Sequence, residues 1–155
     1  MAITEVTGIV SAKKIIADKL TTDFKNELEV TTLNSGRIED YQTDHATGAL
    51  IIHYDGSAYG KSKSQTIILQ DRDLRIAIFM QIRIEKGLDY RDGLIDRVIS
   101  SIAGLKIKTN SRFDRTYIKA DDYLASEKDE SKKFYEHSLV CIVPGEFKQA
   151  DANIY

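Results

Sequence analysis

The 155-residue chain carries 24 acidic and 22 basic residues, a formal charge of -2, and a 42% hydrophobic composition. That balance excludes a long-range electrostatic pull toward nucleic acid or an anionic membrane. The length suits one domain that buries about two-thirds of its unfolded surface, and the single cysteine excludes an internal disulfide and fits a reducing cytoplasm.

The first twenty residues mix apolar groups with Lys13, Lys14, Asp18 and Lys19. They do not read as a signal sequence, and no apolar run approaches the length of a membrane span. A soluble product made inside the cell is expected, one able to leave later within an assembled particle. Ile9, Ala12, Ile16, Leu20 and Phe24, with Val6 extending the stripe, predict an amphipathic helix from about Glu5 to Asn26. Thr4 is placed to cap it, and its apolar face suits the cover of a sheet. A short extended piece from Leu28 to Leu33 follows, then a turn at Asn34, Ser35 and Gly36 and an aperiodic polar run from Arg37 to Thr47.

Ala49–Tyr54, written ALIIHY, predicts a strand covered on both faces or buried by another subunit. Gly56 to Ser64 reads as a flexible hairpin loop, with Lys61 and Lys63 at a solvated tip. Gln65–Gln70 starts a further extended segment, and the polar QDRD at 70–73 marks a place for a bulge or bend. From Asp73 to Glu85 the period is strictly two: Leu74, Ile76, Ile78, Met80, Ile82 and Ile84 alternate with polar or mixed neighbours. Only an extended chain separates those sets. Eleven paired residues would run roughly 37 Å, beyond the usual strand. The aliphatic set needs a hydrophobic cover, whereas the other face sets Ala77 and Phe79 between Arg75 and Arg83. A sheet with one dry face and one mixed face suits an assembly surface.

Leu94, Ile95, Val98, Ile99 and Ile102 form the stripe of a second helix, with Asp89 or Asp92 at its start, Gly104 at its stop and Arg97 set to pair with acids. Leu105 and Ile107 pack the exit. Arg115–Lys119 and Phe134–Val143 read as strands around a charged hairpin tip at 120–133 that composition marks as mobile. Pro144 and Gly145 end the last strand, leaving a flexible tail at 146–155. The expected fold is α+β over one domain, 1–155: an antiparallel or mixed β-sheet with two amphipathic helices on one face. The other face is left to solvent or a partner. Ile51 or Ile52, Phe79, and Val140 or Ile142 favour a partner.

Chemistry is sparse. His45 lies near Asp40 and Asp44 in a polar connection, while His53 and His137 take strand positions as cross-strand neighbours or interface groups. Cys141 shares a strand face with His137 but lies about 13 Å along an extended chain, too far to co-ligate a metal. Asp71 and Asp73 face one side of a strand without a further ligand cluster, and suit edge solubility or a salt bridge. No serine sits in a nucleophile elbow, and no glycines form a phosphate loop. No catalytic residue, cofactor site or metal site is assigned, and no enzyme activity is expected.

The ITEV start, GALIIHYDGSAYG at 48–60, DRDLRIAIFMQIRI up to Ile84, GLDYRDGLIDRVISSIAGLK at 87–106 and KFYEHSLVCIVP at 133–144 resemble the Mu-like phage Gp37 family over about residues 3 to 144. That family belongs with tail-terminator or tail-completion proteins of contractile-tailed phages. The resemblance implies a tail-terminator-like fold and a ring, hexameric by analogy, that caps tail-tube or sheath growth and presents a surface for the head connector. It implies partners in a second copy, the tube or sheath and connector proteins, with no specific nucleic acid and no membrane, first in the host cytoplasm and then in the virion tail. On that reading Arg75, Phe79, Gln81 and Arg83 are candidate ring or tube contacts, and Tyr54, Ser57, Tyr59, Lys61 and Lys63 line a rim or lumen. The alternatives are another tail or baseplate structural component and a small-ligand-binding regulatory protein. A concave apolar pocket with converging polar groups would favour the last of these.

Overall fold

The computed structural model describes residues 3–33, 36, 38, 41–110, 112–124 and 133–149. β1 (Thr4–Glu5) leads into α1 (Ile9–Phe24), followed by β2 (Glu29–Thr32), β3 (Gly48–Tyr59) and β4 (Leu69–Arg83). A 3-10 turn, Ile84–Lys86, connects β4 to α2 (Leu88–Ile102). Then come β5 (Lys106–Thr109), β6 (Arg112–Arg115), β7 (Tyr117–Tyr123), β8 (Phe134–Val143) and β9 (Glu146–Lys148).

The large sheet has the order β2-β3-β4-β8-β7, with β9 added beside the start of β4. Its contacts are antiparallel except for the parallel β2–β3 pair. β4 is its axis because the two-residue period sets Leu74, Ile76, Ile78, Met80 and Ile82 on one side, all 3% exposed or less. Burial of each such side chain contributes about 2 kcal/mol. The periodic run reaches one residue too far, since Ile84 has left the strand and is exposed. The expected irregularity at 70–73 lies instead on the partner strand: the register shifts between Tyr54 and Ser57, where Gly56 takes φ +99°.

Both helices cover the aliphatic face. Ala12, Ile16, Leu20 and Phe24 recur every four residues along α1 and enter one core with Leu94, Ile95, Val98 and Ile102 of α2 and the inward residues of β3, β4 and β8. Thr4 does not cap α1, because it pairs with Ile107 in β1. Gly8 is the cap residue, and Ser11 Oγ accepts the N–H groups of Thr7 and Gly8 at 2.8 and 3.0 Å. Neither Asp89 nor Asp92 caps α2, which starts after Gly87 at φ +89° without a side-chain cap. Arg97 pairs with an acid as expected, donating to both carboxylate oxygens of Glu27 at 2.8 and 2.6 Å.

A small sheet, β1-β5-β6, closes one end of the core with Val6, Leu105 and Ile107. Gly104 ends α2 at φ +79°, and buried Thr116 holds the exit: its hydroxyl donates to Ile102 O and accepts the Leu105 N–H. The expected hairpin tip at 120–133 begins later, since β7 runs to Tyr123; its residues 125–132 lie outside the described residues. The expected tail at 146–155 starts as a strand, with Gln70 opposite Phe147, and its residues 150–155 lie outside the described residues. No helix among the described residues is long and apolar enough to cross a membrane.

Candidate functional site

The face of the sheet away from the helices has two parts. Over β3 and β4, Ala49, Ile51 and Phe79 form a second apolar cluster, packed under Leu33, Ile38 and Tyr41. The aperiodic run before β3 is therefore a cover. Its polar groups are anchored one by one. Gln81 Oε1 accepts the Thr43 N–H at 3.1 Å, and Gln81 Nε2 donates to Tyr41 O at 2.6 Å. Arg83 donates to His45 O and Thr43 O at 3.1 and 3.3 Å, with its guanidinium carbon 4.7 Å from the Phe134 ring centre. The Glu29 carboxylate accepts the Thr43 hydroxyl at 2.6 Å and the Tyr41 hydroxyl. Burial and the Glu29 carboxylate push the Tyr41 hydroxyl up to about 12, so it stays a donor.

Phe79 and Gln81 are thus 8% and 2% exposed beneath their own chain. In the single chain they position the 41–47 segment, and a partner meeting this part of the face meets that segment first. Arg75 lies at the edge of the cover, where its Nε donates to Asp55 O at 3.1 Å. The second part of the face, reached from His53 on β3 across Ala77 of β4, carries Val140 and Ile142 on β8 and Tyr117 on β7 by strand register. Tyr117 is 48% exposed among the described residues.

Beyond the bulge, β3 continues to Tyr59 beside the start of β4, which β9 flanks on its other side; this three-stranded arm takes up Gly56 to Tyr59 of the expected loop. Tyr54 shares a hydrogen bond with Ser57 Oγ at the bend. Exposed Tyr59 stands under the Arg72 guanidinium, 5.7 Å from its ring centre, and Lys61 is exposed at the tip. Lys63 Nζ reaches Asp71 Oδ1 at 2.8 Å and Glu146 Oε2 at 3.4 Å. That contact lifts the Lys63 ammonium above its ordinary range and lowers Asp71. Arg112, absent from the expected set, joins the same network: it contacts Asp71, Asp73 and Asp114 at 3.2, 3.6 and 2.8 Å and donates to Gly145 O. It fixes the small sheet to the root of the arm. Only the alternation of Arg112 and Asp114 hints at this in sequence, and the other partners, Asp71, Asp73 and Gly145, are more than thirty residues away.

The structure separates the histidines that were candidates for a cross-strand pair. His53 lies opposite Ala77 on the second face, and His137 lies opposite Met80 on the helix face, 3.2 Å from Asp121. β4 stands between their strands. His45 Nδ1 accepts the Thr47 N–H at 3.0 Å, a turn-forming bond, while Asp40 lies outside the described residues. Cys141 is buried, which pushes its thiol up to about 12, the reverse of a reactive thiolate. Asp71 and Asp73 face Lys63 and Arg112 as salt-bridge partners. Among the described residues, no three His, Cys, Asp or Glu groups gather to hold a metal. The arrangement offers shape, edges and charged rims. The family model described as Gp37 protein matches residues 16–137, from the middle of α1 into β8. None of the curated proteins compared with the chain matches it.

Proposed function

The chain belongs to the Gp37 protein family, and from that membership we propose that it forms a ring that ends tail-tube or sheath growth and presents a surface to the head connector. The family supports a structural, non-catalytic role in a phage tail. The ring, its partners and its place in the virion tail after assembly in the host cytoplasm are the finer reading. The observation that carries it is the family match from the middle of α1 into β8.

Termination by such a protein is geometric. A subunit with one face matched to the polymer and another unable to accept the next layer stops growth. The large sheet, locked on one side by two helices and on the other by the 41–47 segment, supplies a rigid body for that purpose. Tyr59, Lys61 and Lys63 on the arm are proposed to line the rim, with Tyr54, packed against the core, at its base. Arg75 and Arg83 orient the contact, and Phe79 and Gln81 act through the segment they support. Native mass measurement and negative-stain imaging, with and without tail tubes, test the reading. Rings attached to one tube end support it, and a monomer that never caps a tube overturns it.

A further inference from the structure

Resting on the ring reading above, we propose that successive copies join edge to edge, the outer edge of β2 in one copy pairing antiparallel with the outer edge of β7 in the next. These strands are the two ends of the large sheet. Among the described residues neither outer edge has a backbone partner.

The edges match in sense, length and charge. β2 runs with β3, and each further step through β4, β8 and β7 reverses direction, so β7 runs against β2. Copies that follow one another head to tail therefore meet as an antiparallel pair, with their helix layers on the same side. The Leu33 N–H donates inward to Ile52 O at 3.1 Å, so alternation turns the N–H groups of Val30 and Thr32 outward. The Leu124 N–H donates inward to Glu136 O at 2.9 Å, which turns those of Asp121 and Tyr123 outward. β7 is irregular between Ile118 and Ala120 and regular from Ala120 to Tyr123, a stretch that matches the four residues of β2.

Beside β2, under α1, lies an open groove of about 550 Å³ lined by Val10, Lys13, Lys14, Ala17 and Val30 among others. Val10 is 77% exposed there. Asp121 and Tyr123 of β7 share the helix side of the sheet with their partners Leu139 and His137. A neighbour's β7 laid on β2 brings Tyr123, 54% exposed beside its own Arg91 guanidinium, to the apolar part of the groove and Asp121 toward Lys13, while Lys14 stands 2.6 Å from Asp18 at the same rim. Pairing β7 with a second β7 would instead set the Asp121–Asp122 pairs against each other.

Two single-edge variants test the pairing. Thr32→Pro and Tyr123→Pro each delete one outward donor and leave the internal ladder intact, a change that an edge position tolerates. By native mass measurement each variant alone is expected to be a monomer with an unchanged circular dichroism spectrum. Mixed, they are expected to form a 1:1 heterodimer and nothing larger, because each retains the edge the other has lost. Rings that survive either substitution overturn the pairing and leave the ring reading standing, as does a mixture that stays monomeric. A wild-type chain that forms no ring, alone or on tail tubes, overturns the ring reading itself. Where a proline variant fails to fold, the double variant Lys13→Glu, Lys14→Glu carries the test. Its rings are expected to dissociate at about tenfold higher concentration, and an unchanged concentration overturns the pairing.

Discussion

The side-chain amide of Gln81 joins the sheet to Thr43, accepting its backbone N–H at 3.1 Å while donating to the carbonyl of Tyr41. One glutamine, 2% exposed, thereby satisfies two backbone groups of a segment without regular secondary structure. Replacing it with leucine is expected to leave both groups unpaired and to cost about 1–3 kcal/mol. Urea unfolding reads the loss, and amide hydrogen exchange is expected to quicken at residues 41–47 before the β4 core.

Phe79 tests the same layer from its apolar side. Phe79→Ala is expected to cost about 3 kcal/mol, because the ring fills the cluster with Ala49 and Ile51. Phe79→Asp is expected to lose cooperative unfolding. A folded Phe79→Asp chain that has lost only its rings would place the residue at a subunit contact.

Two glycines separate backbone necessity from chance. A Cβ on Gly48, at φ +150°, would lie 2.0 Å from the Gln81 carbonyl oxygen, so Gly48→Ala is expected to cost on the order of 3 kcal/mol and to disturb the β3–β4 register. Gly93 sits inside α2 with open space around it. Gly93→Ala is expected to stabilise the chain by about 0.5–1 kcal/mol. Thermal melts of the two variants are expected to move in opposite directions.

Acid stability depends on Glu27. Hydrogen bonds from Arg97 and then Tyr90 hold its carboxyl at about 2, below its ordinary 4.5, against the opposing effect of burial. The folded state therefore binds this proton less readily than the unfolded chain. The contribution is full above pH 4.5 and disappears as the pH falls from there toward 2. Urea midpoints measured between pH 6 and pH 2 are expected to fall less steeply in Arg97→Met than in the parent chain.

The long strand and the second helix were legible because their signals are local and periodic. Burial of Leu74, Ile76, Ile78, Met80 and Ile82 follows the two-residue alternation, and α2 ends at Ile102, the last residue of its stripe, although it begins at Leu88, six residues before Leu94. What periodicity does not encode was missed. The cover formed by Leu33, Ile38, Tyr41 and Thr43 is aperiodic, and it depends on Gln81, a candidate ring or tube contact by sequence, and on Glu29, which no motif singles out. Thr4 carried a helix-cap signal, yet its pairing with Ile107 is about a hundred residues distant in sequence. Alternation divided the faces of β4 correctly. It did not reveal that Phe79 and Gln81 lie under their own chain while Tyr59 and Lys61 are exposed on the arm.

The proposed ring stops tail growth by its shape. Purified chain added to tail tubes during elongation, followed by the distribution of tube lengths in electron micrographs, checks this. Elongation is expected to cease in proportion to added chain, with a ring at one end of each arrested tube. Tubes that lengthen at the same rate with bare ends would contradict it.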